Sequence, residues 1–197
     1  VPASVIVITA GMSASTRFRG AGFPPVAGWV SLRSPVVARR AAAATPALVA
    51  LDDADIPYTT HPYTAPGKTA YGTEAADALG LDPRRVLKTL VAEVDGRPVL
   101  AMVPVAGTLD LKALAAACGG KRAVMADPAA AQRLTGYVVG GIAPLGGRQP
   151  LDVVIDLSVA EHGTVFCSAG RRGLQMELAP DDLVTATGAE LAEIAAS

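Results

Sequence analysis

The chain has 197 residues, enough for one domain with a buried core; 51% of them are hydrophobic and only 4% aromatic. No stretch reaches the roughly 18 uncharged apolar residues of a membrane-spanning helix, and the two cysteines, Cys118 and Cys167, form neither a disulfide framework nor a zinc spacing, as expected of a reduced cytoplasmic protein. Residues 1–44 hold five of the 17 basic residues, all arginine, and no acid, which leaves 12 basic against 18 acidic side chains and argues against the basic face of a strong nucleic-acid binder.

Residues 1–44 mix Gly, Pro, Ser and Ala without helical or strand periodicity, so they are expected to be a disordered N-terminal extension to a domain over 45–197. The same acid-poor, Arg- and Ser-containing composition also fits a transit peptide, and Met12 offers a later start. Thr45 and Pro46 then signal an N-cap and first turn, with a short amphipathic helix through Leu48, Leu51 and Ile56 to Pro57. Residues 58–63 read as a strand and 66–68 as a loop. Thr73 is expected to cap a second helix that stops at Gly80.

Residues 86–94 and 99–105 read as two strands joined at Asp95-Gly96, a strong hairpin signal. A helix follows over 109–117, closed by Gly119-Gly120. A short strand at 123–125 precedes a helix that starts at Asp127-Pro128 and ends near Gly136. Further strands are expected at 137–139, 153–156, 164–168 and 174–178. Pro180 opens a short helix, and 189–195 reads as a last one. Hairpins interleaved with short helices favour an α+β fold over a doubly wound one.

Two features stand out chemically. Lys88 lies inside an apolar strand, where a charge is costly unless it is paired or used. Its plain alternative is a stem packed on the sheet with the ammonium in water. Gly140 and Gly141 offer bare backbone to a ligand, or simply make a turn or bulge. His61 and His162 lack companion ligands, so no metal site is expected. Cys167 reads as a small buried hydrophobe, and Asp110 and Asp127 as helix caps.

From Thr45 to Ile194 the chain resembles the YbaK/EbsC family of aminoacyl-tRNA deacylases, in particular the free-standing Cys-tRNA(Pro) deacylases. The resemblance runs through Lys88-Thr89-Leu90, Pro104-Val105-Ala106-Gly107, Leu109-Asp110-Leu111-Lys112, Met125-Ala126-Asp127-Pro128, Thr135-Gly136-Tyr137, Gly140-Gly141 and Arg172-Gly173-Leu174. It implies a mixed, mostly antiparallel, partly closed barrel-like sheet flanked by short helices. It implies that Lys88 is the catalytic residue and that Tyr63, Thr89, Gly140, Gly141, Ser168 and Gln175 bind substrate. On strand alternation alone, Thr89 faces away from Lys88. Tyr63 and Ser168 otherwise read as strand-end residues.

The family often has serine where this chain has Ala143, and commonly aspartate where it has Gln175, so a hydroxyl and a full charge are absent. The resemblance further implies an enzyme without cofactor, acting on the 3′ end of an aminoacyl-tRNA, with prolyl-tRNA synthetase as expected partner and neither DNA nor membrane. The expected reaction is trans-editing of Cys-tRNA(Pro), in which the substrate's own thiol attacks its ester. Another misacylated tRNA, with alanine or serine, and a non-catalytic aminoacyl- or nucleotide-binding module are the alternatives.

Overall fold

A computed structural model of the chain describes residues 44–64 and 71–196, the side chains of residues 71 and 72 excepted. The expected extension up to residue 43 and the 66–68 loop lie outside the described residues. Helix α1 (Pro46–Asp53) begins where its cap residue demands: the Thr45 hydroxyl oxygen accepts from Leu48 N at 3.3 Å, and Pro46 fills the first turn. The same hydroxyl donates to the Ala169 carbonyl, which fastens the helix to the far end of the chain. The helix ends before Ile56, at a turn where Asp55 has φ 53°.

Strand β1 (Thr59–Pro62) and helix α2 (Tyr71–Leu79) follow. Helix α2 starts two residues before Thr73, so Thr73 lies within its first turn rather than capping it; Gly80, at φ 64°, ends it as expected. Strands β2 (Leu87–Val94) and β3 (Arg97–Pro104) form the hairpin. Asp95 and Gly96 have φ 49° and 81°, the pair of positive values a two-residue turn with the natural strand twist requires.

After β4 (Thr108–Leu109) comes α3 (Leu111–Ala117), capped by Asp110, whose carboxylate accepts from Lys112 N and Ala113 N at 2.8 and 3.0 Å. Strand β5 (Ala123–Met125) leads to α4 (Pro128–Thr135), capped the same way by Asp127 and closed by Gly136 at φ 78°. Strand β6 (Asp152–Asp156), a 3₁₀ turn (Leu157–Glu161), β7 (Val165–Ser168), β8 (Leu174–Leu178) and α5 (Pro180–Thr187) follow, then β9 (Glu190–Ala192) and β10 (Ala195–Ala196).

Two expected elements are not there. Residues 137–139 form turns instead of a strand: buried Tyr137 donates its hydroxyl to the Leu145 carbonyl at 2.8 Å, and Gly141 N bonds back to Val138 O at 2.9 Å. Residues 189–195 form the short strand β9 and the start of β10 rather than a helix. Strand β9 pairs with β6, and the N–H groups of Ile194 and Ala195 go to the Asp156 carboxylate. Those tertiary bonds outweigh the weak helical preference of an alanine-rich stretch.

The fold is α+β. One sheet has the order β5-β2-β3-β6-β9, a second β1-β8-β7, and β10 pairs with β4. The β3–β6 and β6–β9 ladders are parallel and the others antiparallel. Among the described residues the sheets do not close into a barrel; a parallel bridge between Val86 and Phe166 joins the two larger ones at one corner. One core cluster joins α1, β3, β6 and β8 around Leu51, Met102, Ile155 and Met176. Another lies under α3, around Val103, Leu114 and Ile194. Among the described residues, no helix is long and apolar enough to cross a membrane.

Candidate functional site

The corner where the sheets meet leaves a cavity of about 390 Å³. Leu87 to Val91 of β2 form one wall, and Met125, Ala131, Val139 and Ile142 close it from the α4 side. Ser168 and Gln175, paired across β7 and β8, form the back. The walls are mostly apolar, so the polar groups that do reach in are conspicuous.

Lys88 is one of them. On β2 it lies opposite Val103, and its Nζ donates to the Gly107 carbonyl at 2.6 Å. Among the described residues no carboxylate lies within ion-pair distance of it. Burial lowers the pKa of its ammonium, because desolvation penalises the charged form. A cation held by a neutral carbonyl keeps its full charge available to a ligand.

Thr89 also lines the cavity, contrary to strict strand alternation. Five consecutive residues of β2, Leu87 to Val91, reach the cavity. Thr89 Oγ1 is buried without a hydrogen-bond partner among the described residues, and so is Gln175 Oε1, on a residue only 5% exposed. An unsatisfied buried polar group costs about 1–3 kcal/mol, a penalty that a bound ligand could relieve. Ser168 lines the same wall, its hydroxyl accepting from Gly170 N at 3.3 Å.

Gly140 lines the cavity with φ 85°. Gly141 does not; a Cβ there would stand 2.9 Å from Arg172 N and 3.0 Å from the Arg171 carbonyl carbon. Close packing on the 171–172 turn therefore accounts for this glycine. The Arg172 guanidinium reinforces the contact, donating to Val139 O at 2.8 and 2.6 Å. Tyr63 also lies off the cavity. Its N–H bonds to Gly173 O at 2.9 Å, and its ring packs on the cluster of Val86, Val105 and Phe166. Ala143 is buried in the core, not in the cavity wall.

Neither histidine lines the cavity. His61 is no loose strand-end residue: its Nε2 lies 2.9 Å from Glu177 Oε2, whose other oxygen accepts from Thr164 Oγ1 at 2.6 Å. Among the described residues, no group of three metal-ligating side chains occurs. Cys167 is fully buried, and burial pushes its thiol far above the ordinary range, which suits packing rather than attack. Sequence reasoning missed the Gly107 carbonyl as the acceptor for Lys88. It also missed the walls from Thr73, Met125 and Val139. Only the turn-like Pro104-Val105-Ala106-Gly107 run hinted at the first.

The arrangement suits a small polar group entering an apolar cavity, oriented by two buried hydrogen-bonding side chains and facing a fixed positive charge. It can stabilise negative charge on a reacting oxygen without supplying a histidine-activated nucleophile.

The model of one family, the aminoacyl-tRNA editing domain, matches residues 64–186. EbsC of Enterococcus faecalis, provisionally named a Cys-tRNA(Pro)/Cys-tRNA(Cys) deacylase, is 31% identical over 151 residues, covering 76% of this chain and 92% of EbsC. A crystal structure described as a provisional trans-editing enzyme for prolyl tRNA synthetase superposes with TM-score 0.69 at 26% identity, over 77% of this chain and 96% of that one. A hypothetical protein of known structure shares the fold at TM-score 0.70 and 24% identity, over 77% of this chain and all of its own.

Proposed function

Because this chain belongs to the aminoacyl-tRNA editing domain family, we propose that its cavity takes the aminoacyl end of a mischarged tRNA and cleaves the ester, with Cys-tRNA(Pro) as substrate. The observation that carries this reading is Lys88: a cation held at 2.6 Å on a carbonyl, inside an apolar cavity, beside two buried groups that lack partners among the described residues. A cation fixed where negative charge develops contributes a few kcal/mol to the transition state.

The chemistry needs no protein nucleophile. The substrate's cysteine sulfur attacks its own ester carbonyl. The carbonyl carbon–ribose oxygen bond breaks, the ribose oxygen takes up a proton, and a cyclic thioester leaves. Water then opens the thioester to free cysteine. Proximity supplies much of the rate of such an intramolecular attack. Lys88 balances the charge on the carbonyl oxygen and then on the departing ribose oxygen. Thr89, Ser168 and Gln175 orient the amino-acid portion, and the backbone at Gly140 lets the acyl group come close. Gly141 and Tyr63 support these walls from behind.

The acidic balance of residues 45–197 suits an enzyme that grips only the 3′ end of the tRNA. Prolyl-tRNA synthetase is then the partner that hands over the product, and the cytoplasm is the compartment. A second reading, deacylation of an alanyl- or seryl-tRNA, is favoured by one residue: Gln175 offers a neutral amide to the amino-acid portion, not a carboxylate.

The test is to incubate the protein with Cys-, Ala-, Ser- and Pro-tRNA(Pro), with Lys88→Ala as control. Loss of Cys-tRNA alone, slowed roughly 10²- to 10³-fold by the substitution, is the expected result. Equal loss of Ala-, Ser- or Pro-tRNA would rule out thiol assistance and reassign the substrate. No loss of any would leave a binding module.

A further inference from the structure

A lysine ammonium sits on a flexible four-carbon stem, so its position in a cavity is only as fixed as the group that grips it. For Lys88 that group is the Gly107 carbonyl. Gly107 has no side chain to anchor it. It lies in the turn between β3 and β4, where its N–H bonds to Pro104 O at 3.1 Å.

What backs this turn is the end of the chain. Strand β10 lies against β4, with Ala195 opposite Leu109 and Ala196 opposite Thr108. A Cβ on Gly107 would stand 2.9 Å from the Ala196 carbonyl oxygen, so turn and strand are in contact. Next along, Asp110 N bonds to Ile194 O at 2.8 Å. A two-residue strand does not hold itself in place. The buried carboxylate of Asp156 does that. One of its oxygens accepts from Ile194 N at 2.9 Å and Ala195 N at 2.7 Å. The other accepts from Ser158 N at 3.1 Å and from the Ser158 hydroxyl. Asp156 is 5% exposed and, among the described residues, has no cation within ion-pair distance. One oxygen therefore fixes where β10 lies, while the other is held by Ser158, which orients the carboxylate.

We propose that Asp156 and the strand β10 it clamps are positioning elements for Lys88, setting the Gly107 carbonyl that aims the ammonium into the cavity. The inference rests on the reading of Lys88 as the working cation. Asp156 lies outside the cavity lining and acts through three links: the N–H groups of 194–195, the β10–β4 pairing, and the Gly107 carbonyl. The buried Ile194 side chain, 0% exposed, supplies stability at this point without fixing the strand's register in the same way.

The test uses the full chain with Gly107→Ala, Asp156→Asn and Lys88→Ala, and two measurements. The first is single-turnover deacylation of the aminoacyl-tRNA that the wild-type protein prefers. The second is NMR of the Lys88 ammonium in the protein without substrate, assigned by its loss in Lys88→Ala. In Gly107→Ala and Asp156→Asn proteins that still melt cooperatively, the Lys88 signal moves toward that of an exposed lysine. The chemical step slows roughly ten- to a hundredfold, as expected for a displaced catalytic group, with KM changed less than about threefold.

A lowered melting temperature with an unmoved Lys88 signal and unchanged turnover would overturn the proposal and leave a merely structural clasp. If Asp156→Asn does not fold, Gly107→Ala decides alone, since its Cβ meets the strand directly. Full activity in Lys88→Ala would sink the functional reading instead, and the NMR comparison would still decide the positioning.

Discussion

Gly141→Ala separates two reasons for a glycine. The new Cβ would meet three backbone atoms of the facing turn: Arg172 N at 2.9 Å, the Arg171 carbonyl carbon at 3.0 Å and Arg171 Cα at 3.1 Å. None is the end of a flexible side chain, so one backbone segment must move by roughly half an ångström to restore ordinary contact. Overpacking of this kind costs about 1–3 kcal/mol. In a folded unit of this size each kcal/mol lowers the melting temperature by about 2–4 °C, which gives a drop of about 2–12 °C. Movement also stretches the Arg172 bonds to Val139 O, and Val139 is a cavity wall. Thermal unfolding followed by circular dichroism, with deacylation measured in parallel, should therefore show a less stable protein with reduced kcat/KM. A melting temperature within about 1 °C of wild type would refute the packing argument. If activity were lost at that unchanged stability, Gly141 would be touching substrate after all.

The buried groups without partners make an opposite prediction. Thr89→Val and Gln175→Leu should keep or raise the melting temperature, because a buried orphan costs about 1–3 kcal/mol, while lowering kcat/KM; a loss of both stability and activity would mean the groups are satisfied within the protein. At alkaline pH, burial pushes the Tyr137 hydroxyl from its ordinary 10.0 up to about 12. The unfolded chain then ionises first, so this stability is whole below pH 10 and drains away as pH rises toward 12. Urea unfolding from pH 9 to 11.5 should fall less steeply in Tyr137→Phe. At acid pH, burial opposes ionisation of Asp156, but hydrogen bonds from the Ser158 hydroxyl and from the Ala195, Ile194 and Ser158 N–H groups outweigh it and hold its carboxyl below the ordinary 3.8. Its contribution is whole above that value and is lost as pH falls through the folded-state pKa. Asp156→Asn should thus be less stable at pH 6 and converge on wild type toward pH 2.

Features with local causes were legible in the sequence. Asp95-Gly96, the Asp110 and Asp127 caps and Pro46 each act within a few residues, and the structure has them as read. Lys88 was legible because a charge in an apolar strand needs a reason. What failed depended on distant partners. The turn at 137–139 follows from a hydrogen bond to Leu145. The strands at 190–196 follow from Asp156, 38 residues before Ile194. Gly141 was visible as a glycine, but its reason, the 171–172 turn, lies thirty residues on. The pairing of His61 with Glu177 spans 116 residues, so spacing alone gave no sign of it.

The order of assembly follows from where the cavity takes its walls. The β2–β3 hairpin is local and needs only its own two-residue turn, so it can form within microseconds of leaving the ribosome. That hairpin already carries Lys88. The back wall, Ser168 and Gln175, belongs to strands made some eighty residues later, and β8 must slot between β7 and the much earlier β1. Long-range pairings of this kind close late. A growing chain therefore displays its cation on a bare hairpin well before any cavity surrounds it. Discrimination among acyl groups would arrive all at once, when β8 docks.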